Sequence, residues 1–200
     1  DEISALQHAM NLRFDRGERA FAAEYQNEPI PEEESRADDL THDQVAGKLN
    51  RMARRATAVG VNHVTGFIDV QASLLYWVVC GWEDDFTGQV LDYGCFPDQH
   101  RPYYTLRDAK HTLAELVTGA GLEGQIYGGL EQLTDLLCSI DWPRDDGAGL
   151  KLERLLIDAN WGTSTQVVKR FCRQSAHSAI LTPSHGHYIG ALGRPMSTWA

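Results

Sequence analysis

The sequence predicts an α/β protein: a mixed five-stranded sheet flanked by helices, preceded by an N-terminal helical arm. Three observations carry that expectation. Short apolar runs rich in β-branched and aromatic residues alternate with helical spacings in the order β-β-β-α-α-β-α-β. The first three runs follow one another closely, as in an antiparallel meander, whereas the last two are reached across helices, as in parallel crossovers. Two of the runs, Gly66-Phe67-Ile68-Asp69-Val70-Gln71 and Leu155-Leu156-Ile157-Asp158-Ala159-Asn160, each carry a lone aspartate. That residue is depleted in strands because its short polar side chain prefers turns and caps.

The elements follow in order. Ile3, Leu6, Met10, Phe14, Phe21 and Tyr25 recur at helical spacing, with Gly17 weakening the middle. Pro29 and Pro31 stop the helix, and Glu32-Glu33-Glu34 reads as an exposed linker. Thr41 followed by Gln44 is a capping box, opening a helix with Val45, Leu49 and Met52 on one face. Arg51, Arg54 and Arg55 near its end complement the helix dipole. Gly60 to Gln71 is expected as the first strand and Leu74 to Trp82 as the second, with Tyr76, Trp77 and Trp82 expected in the core in preference to a base-stacking role. Glu83 to Gly88, including Asp84 and Asp85, is a turn; Gln89 to Phe96 is the third strand, with Asp92 on its exposed side.

Pro97 and Pro102 end the meander. Leu106, Leu113, Leu116 and Val117 mark one helix, and Leu130, Leu133, Leu136 and Leu137 a second, with Gly119, Gly121 and Gly124 between them. A fourth strand is expected over residues 152–158. A helix from about Thr163 to Gln174 then buries Val167, Val168, Phe171 and Cys172, and a fifth strand spans Ser178 to Thr182. His185-Gly186-His187 falls in irregular chain.

Composition narrows the function classes. The net charge of −10 argues against a generally basic nucleic-acid binder, but the charge is unevenly placed. Acids crowd the first third. After Asp158 there is no Asp or Glu, while Lys169, Arg170, Arg173 and Arg194 all follow. A cationic end beside carboxylates suits a phosphodiester substrate, with a solvated basic helix face as the competing explanation. Cys80, Cys95, Cys138 and Cys172 are too widely spaced for a zinc site and read as small hydrophobes. No apolar run of about 18 residues exists, so no membrane span is expected. The chain begins at Asp1 without a signal-peptide layout, as a piece of a longer polypeptide would.

The element order fits an RNase H-like core with strand order 3-2-1-4-5, in which the strands of Asp69 and Asp158 are neighbours. Two carboxylates at adjoining strand ends can hold divalent cations, which take oxygen ligands. The chain therefore reads as a metal-dependent nuclease built on Asp69 and Asp158. Each residue has a plainer explanation: Asp69 as a solvent-facing strand-end residue, and Asp158, ahead of Asn160 and Gly162, as a helix cap. Asn160 either orients a carboxylate or forms an Asx-type turn. His185 and His187 are either ligands or ordinary surface histidines.

Phe21-Ala22-Ala23-Glu24-Tyr25-Gln26-Asn27-Glu28-Pro29 resembles the segment that leaves the ATPase motor of tailed-phage terminase large subunits. Phe67-Ile68-Asp69-Val70-Gln71, with Leu75-Tyr76-Trp77-Val78-Val79 after it, resembles the opening of their nuclease domain. Leu156-Ile157-Asp158-Ala159-Asn160-Trp161-Gly162 resembles the second acidic strand. The resemblance covers most of residues 18–170. No Gly-x-x-x-x-Gly-Lys-Ser/Thr run occurs, so no ATPase phosphate loop is present.

The resemblance implies residues 1–60 as a linker arm from the ATPase domain and 61–200 as the nuclease domain, cutting concatemeric double-stranded DNA. It implies two Mg²⁺ or Mn²⁺ ions, with Asp69 bridging both and Asp158 binding one. Lys169, Arg170, Arg173 and Arg194 would then contact DNA. The implied partners are DNA, the portal protein, the small terminase subunit and the ATPase domain of the same polypeptide, in the host cytoplasm during assembly. The family's third acid, from a helix beyond the fifth strand, is missing. It is expected past Ala200, with His185 or His187 as substitutes. Competing readings are a non-catalytic docking module of the packaging motor and another RNase H-like nuclease of integrase or resolvase type.

Overall fold

The two acidic runs become adjacent parallel strands at the centre of one sheet. The computed structural model describes residues 4–16, 21, 22, 25 and 41–186, which fall into two units divided between Arg51 and Met52. His187 and Arg194, and the Glu32-Glu33-Glu34 run, lie outside the described residues.

In the first unit, α1 spans Ala5–Arg16 and α2 spans His42–Ala46. The capping box forms as expected: the Gln44 N–H donates to the Thr41 hydroxyl (3.2 Å) and the Thr41 N–H to the Gln44 side chain (2.8 Å). The helix is nevertheless one short turn. Gly47 caps it, its N–H donating to the Asp43 carbonyl, and Val45 and Leu49 are exposed, so the expected apolar face on this helix is not built. Five residues form too few intrahelical bonds to offset nucleation, so nothing extends the helix toward Leu49.

The second unit is built on β1 (His63–Val70), β2 (Leu75–Trp82), β3 (Gly88–Phe96), β6 (Arg154–Asp158) and β7 (Leu181–Ser184). Their order is β3-β2-β1-β6-β7, the arrangement the sequence predicts. The first three are antiparallel, while β6 runs parallel to both β1 and β7. Between them lie α3 (Leu113–Leu116), α4 (Leu122–Ser139), the two-residue ribbons β4 (Trp142–Pro143) and β5 (Gly149–Leu150), and α5 (Thr165–Gln174).

Alternation along β1 sets the two faces. Val64, Ile68 and Val70 are buried at 0–2% exposure, while Thr65, Phe67 and Asp69 are half-buried on the other side. The buried face joins Leu75, Val79, Leu155 and Ile157 in one core with Ile126, Leu130, Leu133 and Leu137 of α4 and Val167, Val168 and Phe171 of α5. Both long helices therefore pack on this face. Burying each large aliphatic side chain here is worth about 1.5–3 kcal/mol.

Several local expectations change. Asp92 is buried at 1% exposure: a bulge between Val79 and Cys80 breaks the β2–β3 register, so Leu91 and Asp92 are both turned inward. Arg54 and Arg55 do not end a helix; both pair with Asp92. Of the three aromatics of β2, only Trp77 packs against the core. Tyr76 and Trp82 stand on the opposite face, where the Trp82 indole N–H donates to the Thr65 hydroxyl (2.8 Å). The helix expected from Leu106 is confined to Leu113–Leu116, with its own Thr112/Glu115 capping box. The fifth strand begins at Leu181 because turns occupy the segment before it.

Candidate active site

The ladder between β1 and β6 pairs Thr65 with Arg154, Gly66 with Leu155, Phe67 with Leu156 and Ile68 with Ile157. Paired residues of parallel strands point to the same face, and neighbouring strands lie about 4.8 Å apart. Ile68 and Ile157 are both fully buried beneath the helices. Asp69 and Asp158 each come one residue later, so both turn to the face away from the helices, on adjacent strands at one level. Both are half-buried.

The register extends this level into a row across the sheet. Asp69 stands opposite Tyr76, Tyr76 opposite Cys95, and Asp158 opposite Ser184. Each carboxylate is held through one oxygen. The Gln71 side-chain amide donates to Asp69 Oδ2 (2.8 Å), and the Asn160 backbone N–H donates to Asp158 Oδ1 (3.0 Å). The second contact is an Asx turn, and it follows the strand at once. The hydroxyl of Thr165, first residue of α5, donates to the Ala159 carbonyl (2.7 Å), tying that helix to the end of β6. Asp158 does not cap α5.

On the other flank, Tyr76 stacks against Tyr104 with ring centroids 6.4 Å apart and planes 7° from parallel. Burial raises the Tyr76 hydroxyl above the ordinary tyrosine range, a hydrogen bond with Tyr104 opposes this, and the Asp69 charge adds a smaller upward push. Burial also holds Tyr104 well above that range, reinforced by Cys95 and Tyr76. Both rings are therefore neutral hydrogen-bonding groups at pH 7 beside an ionisable pair of carboxylates.

The remaining sequence candidates are dispersed. Arg170 lies 3.5 Å from Glu123 and over the ring of Tyr127 (5.8 Å), which fastens α5 to α4. Lys169 and Arg173 line a cleft between α5 and β7 with Ser178, Leu181 and Pro183, beside strand positions on the helix-covered face. His185 is exposed in the chain after β7, and a Cβ on its neighbour Gly186 would lie 3.7 Å from Asn160 Nδ2. The loop after β7 thus approaches the Asp158 end of the row.

Gln71, Cys95 and Tyr104 are not expected at the site from the sequence, and Tyr76 is expected in the core in preference to base stacking. Strand alternation holds the signal for two of them: Gln71 is two residues beyond Asp69, and Tyr76 is on the opposite parity from Leu75. Tyr104 lies in a loop whose path no periodicity specifies.

The donor set can be tested against a divalent cation. Only oxygen is offered, from two carboxylates, and Asp69 Oδ1 and Asp158 Oδ2 have no hydrogen-bond or ion-pair partner among the described residues. Among the described residues no group of three or more His, Cys, Asp and Glu side chains is gathered to cage an ion. One or two carboxylates, completed by waters and substrate phosphate oxygens, is the usual arrangement for Mg²⁺, so the residues present fit an open site of that kind.

Residues 19–191 match the family model described as terminase large subunit gpA, endonuclease domain. No curated protein and no solved structure gave a match. Among the described residues no helix is long and apolar enough to cross a membrane.

Proposed function

Because the chain belongs to the endonuclease-domain family of terminase large subunits gpA, we propose that Asp69 and Asp158 form its cutting site and hydrolyse the phosphodiester backbone of concatemeric double-stranded DNA during packaging. The observation that carries this reading is the Ile68–Ile157 register, which leaves the two aspartates side by side on one face of adjacent strands.

Asp69 and Asp158 would hold one or two divalent ions, Mg²⁺ or Mn²⁺. Such ions activate water as a nucleophile and offset the charge that builds on the phosphate. The chain's own residues do the rest. Gln71 and the Asn160 N–H each fix one carboxylate oxygen, so the free oxygens face outward without side-chain reorganisation. The fully buried isoleucines beneath make the two strands a rigid base for both carboxylates. Tyr76, neutral and cross-strand from Asp69, supplies a hydroxyl beside the site without adding a charge that would repel phosphate. A third ligand would come from His185 or His187, or from chain past Ala200. Lys169, Arg173 and Arg194 remain candidates for contacts to DNA.

The family also points to partners in the packaging machinery. The portal protein, the small terminase subunit and an ATPase domain in the same polypeptide are the ones we propose, in the host cytoplasm.

Supercoiled-plasmid nicking tests the reading, with Mg²⁺ or Mn²⁺ and with Asp69→Ala, Asp158→Ala and a C-terminally extended chain run alongside. Metal-dependent nicking that both substitutions abolish is the expected result. Activity seen only in the extended chain would place the remaining ligand past Ala200. A folded protein that cuts under none of these conditions would sink the nuclease reading in favour of a docking module.

A further inference from the structure

At the β3 edge of the sheet, an open groove of about 800 Å³ is lined by Arg54, Arg55, Tyr76, Tyr93, Arg101 and Tyr104 among others. Tyr76 belongs both to this groove and to the row containing Asp69, so the groove reaches the cross-strand neighbour of Asp69, although neither aspartate lines it. Its size falls within the roughly 300–1,000 Å³ typical of small-molecule sites, enough for a nucleotide or two but not for a duplex.

The groove is built, not incidental. Arg101 lies over the Tyr104 ring (5.8 Å) and Tyr104 stacks on Tyr76, while Arg54 lies over Tyr93 (5.5 Å). The loop that carries Arg101 and Tyr104 is clamped by Gln99, which is 4% exposed. Its amide donates to the Pro97 and His111 carbonyls (3.0 and 2.6 Å) and accepts from the Lys110 and His111 N–H groups (2.8 and 3.2 Å). Buried Asp92 fixes both Arg54 and Arg55 through their Nε atoms, yet the two side chains are 63% and 54% exposed.

Charge favours an anionic occupant. In a chain of net charge −10, residues 97–112 carry Arg101, Arg107 and Lys110 against Asp98 and Asp108; of these Arg101 and Asp98 line the groove, and Arg101 also pairs with Asp108 (3.2 Å). Arg54 and Arg55 share the one carboxylate of Asp92, which leaves another positive charge. Guanidinium groups interleaved with tyrosine faces suit a single nucleic-acid strand, its phosphates on the arginines and an unstacked base on a ring.

We propose that this groove holds one strand of the DNA substrate, with a base against the Tyr76–Tyr104 pair and phosphates against Arg54 and Arg101, and feeds it to Asp69. The inference rests on the nuclease reading for the identity of the strand, but its test does not depend on cutting. Fluorescence anisotropy would follow a labelled single-stranded oligonucleotide binding to the 200-residue chain carrying Asp69→Asn. Tyr104→Ala and Arg101→Gln should each weaken binding about tenfold or more, whereas Tyr104→Phe, which keeps the ring, should not. Binding that stays within about twofold for both variants, or that falls only with Lys169→Ala and Arg173→Ala at the other edge, would overturn the proposal.

Photo-crosslinking of an iododeoxyuridine oligonucleotide to the unsubstituted chain needs no variant to fold. Adducts on Tyr76, Tyr93 or Tyr104 support the groove, and adducts confined to other elements count against it. Loss of binding in the groove variants, with no metal-dependent nicking by either the parent or the C-terminally extended chain, would keep the groove and remove the nuclease reading. Nicking by the parent, with normal binding by the groove variants, would do the reverse.

Discussion

Ile68 of β1 and Ile157 of β6 stand opposite each other in a parallel ladder, both fully buried, and each is followed by an aspartate on the open face. The packing that buries the isoleucines therefore also forces two like charges together. Directly opposed like charges on adjacent strands cost about 0.2–1 kcal/mol. Asp69→Asn or Asp158→Asn should raise the thermal midpoint slightly without metal, and should abolish nicking in its presence. Mg²⁺ or Mn²⁺ should raise the midpoint of the unsubstituted chain and leave either variant nearly unmoved, because only a site bound in the folded state shifts the equilibrium. Scanning calorimetry in EDTA and in added metal reads both effects. A variant midpoint below the parent in EDTA would mean that the carboxylates are structural.

Asp92 is a buried carboxylate shared by two half-exposed arginines, so each arginine can partly cover for the other. Arg54→Met or Arg55→Met alone should cost about 1 kcal/mol, close to an exposed pair. Together they would leave an unpaired buried charge, for which losses of about 3–5 kcal/mol are usual. Urea unfolding of the two single variants and the double variant measures this coupling. Strict additivity would show that Asp92 finds another partner.

The sheet order was legible because two acidic runs and the connection lengths constrain it together, and both act at the level of whole elements. Asp92 was not, because one bulge reverses parity within β3, and nothing in Gln89 to Phe96 announces it. Pro183 argues against a strand at that point, yet β7 is an edge strand, where a missing N–H leaves no ladder bond unmade. Of the candidate site, the aspartate pair could be read from the sequence, whereas Tyr104 could not. Its loop is fixed by Gln99 bonding to backbone groups, and Leu106, which suggested a helix there, is 47% exposed.

Gly129 of α4 sits where that helix crosses α3 and the sheet below. A Cβ there would overlap Leu113 Cδ2 and reach 3.5 Å from Leu75 Cδ1, and both leucines are fully buried. Gly129→Val should cost about 1–3 kcal/mol through overpacking. Adding Leu113→Ala should recover part of that loss, since the new methyl groups would fill the space it vacates. Equilibrium denaturation of the two single variants and the double variant settles it, and a double variant less stable than the sum of the singles would refute the steric account.

His63 lies at the opposite end of β1 from Asp69, with Nδ1 3.0 Å from Glu153 and Nε2 3.6 Å from Asp84. The Glu153 hydrogen bond, then its charge, raise the imidazole above the ordinary value of 6.5; burial opposes them weakly and Asp84 adds to the rise. A raised pKa means that the folded state holds the proton more tightly than the unfolded chain. The stabilisation is thus fully present below pH 6.5 and is lost as pH climbs through the raised value. Glu153→Gln should lower the His63 titration midpoint, followed by the imidazole NMR signals. It should also destabilise the fold at pH below 6.5 but have little effect once the ring is neutral. Because His63 is surface-exposed, added salt should shrink the difference. A His63 midpoint unchanged by Glu153→Gln would show that the ion pair is not what holds the proton.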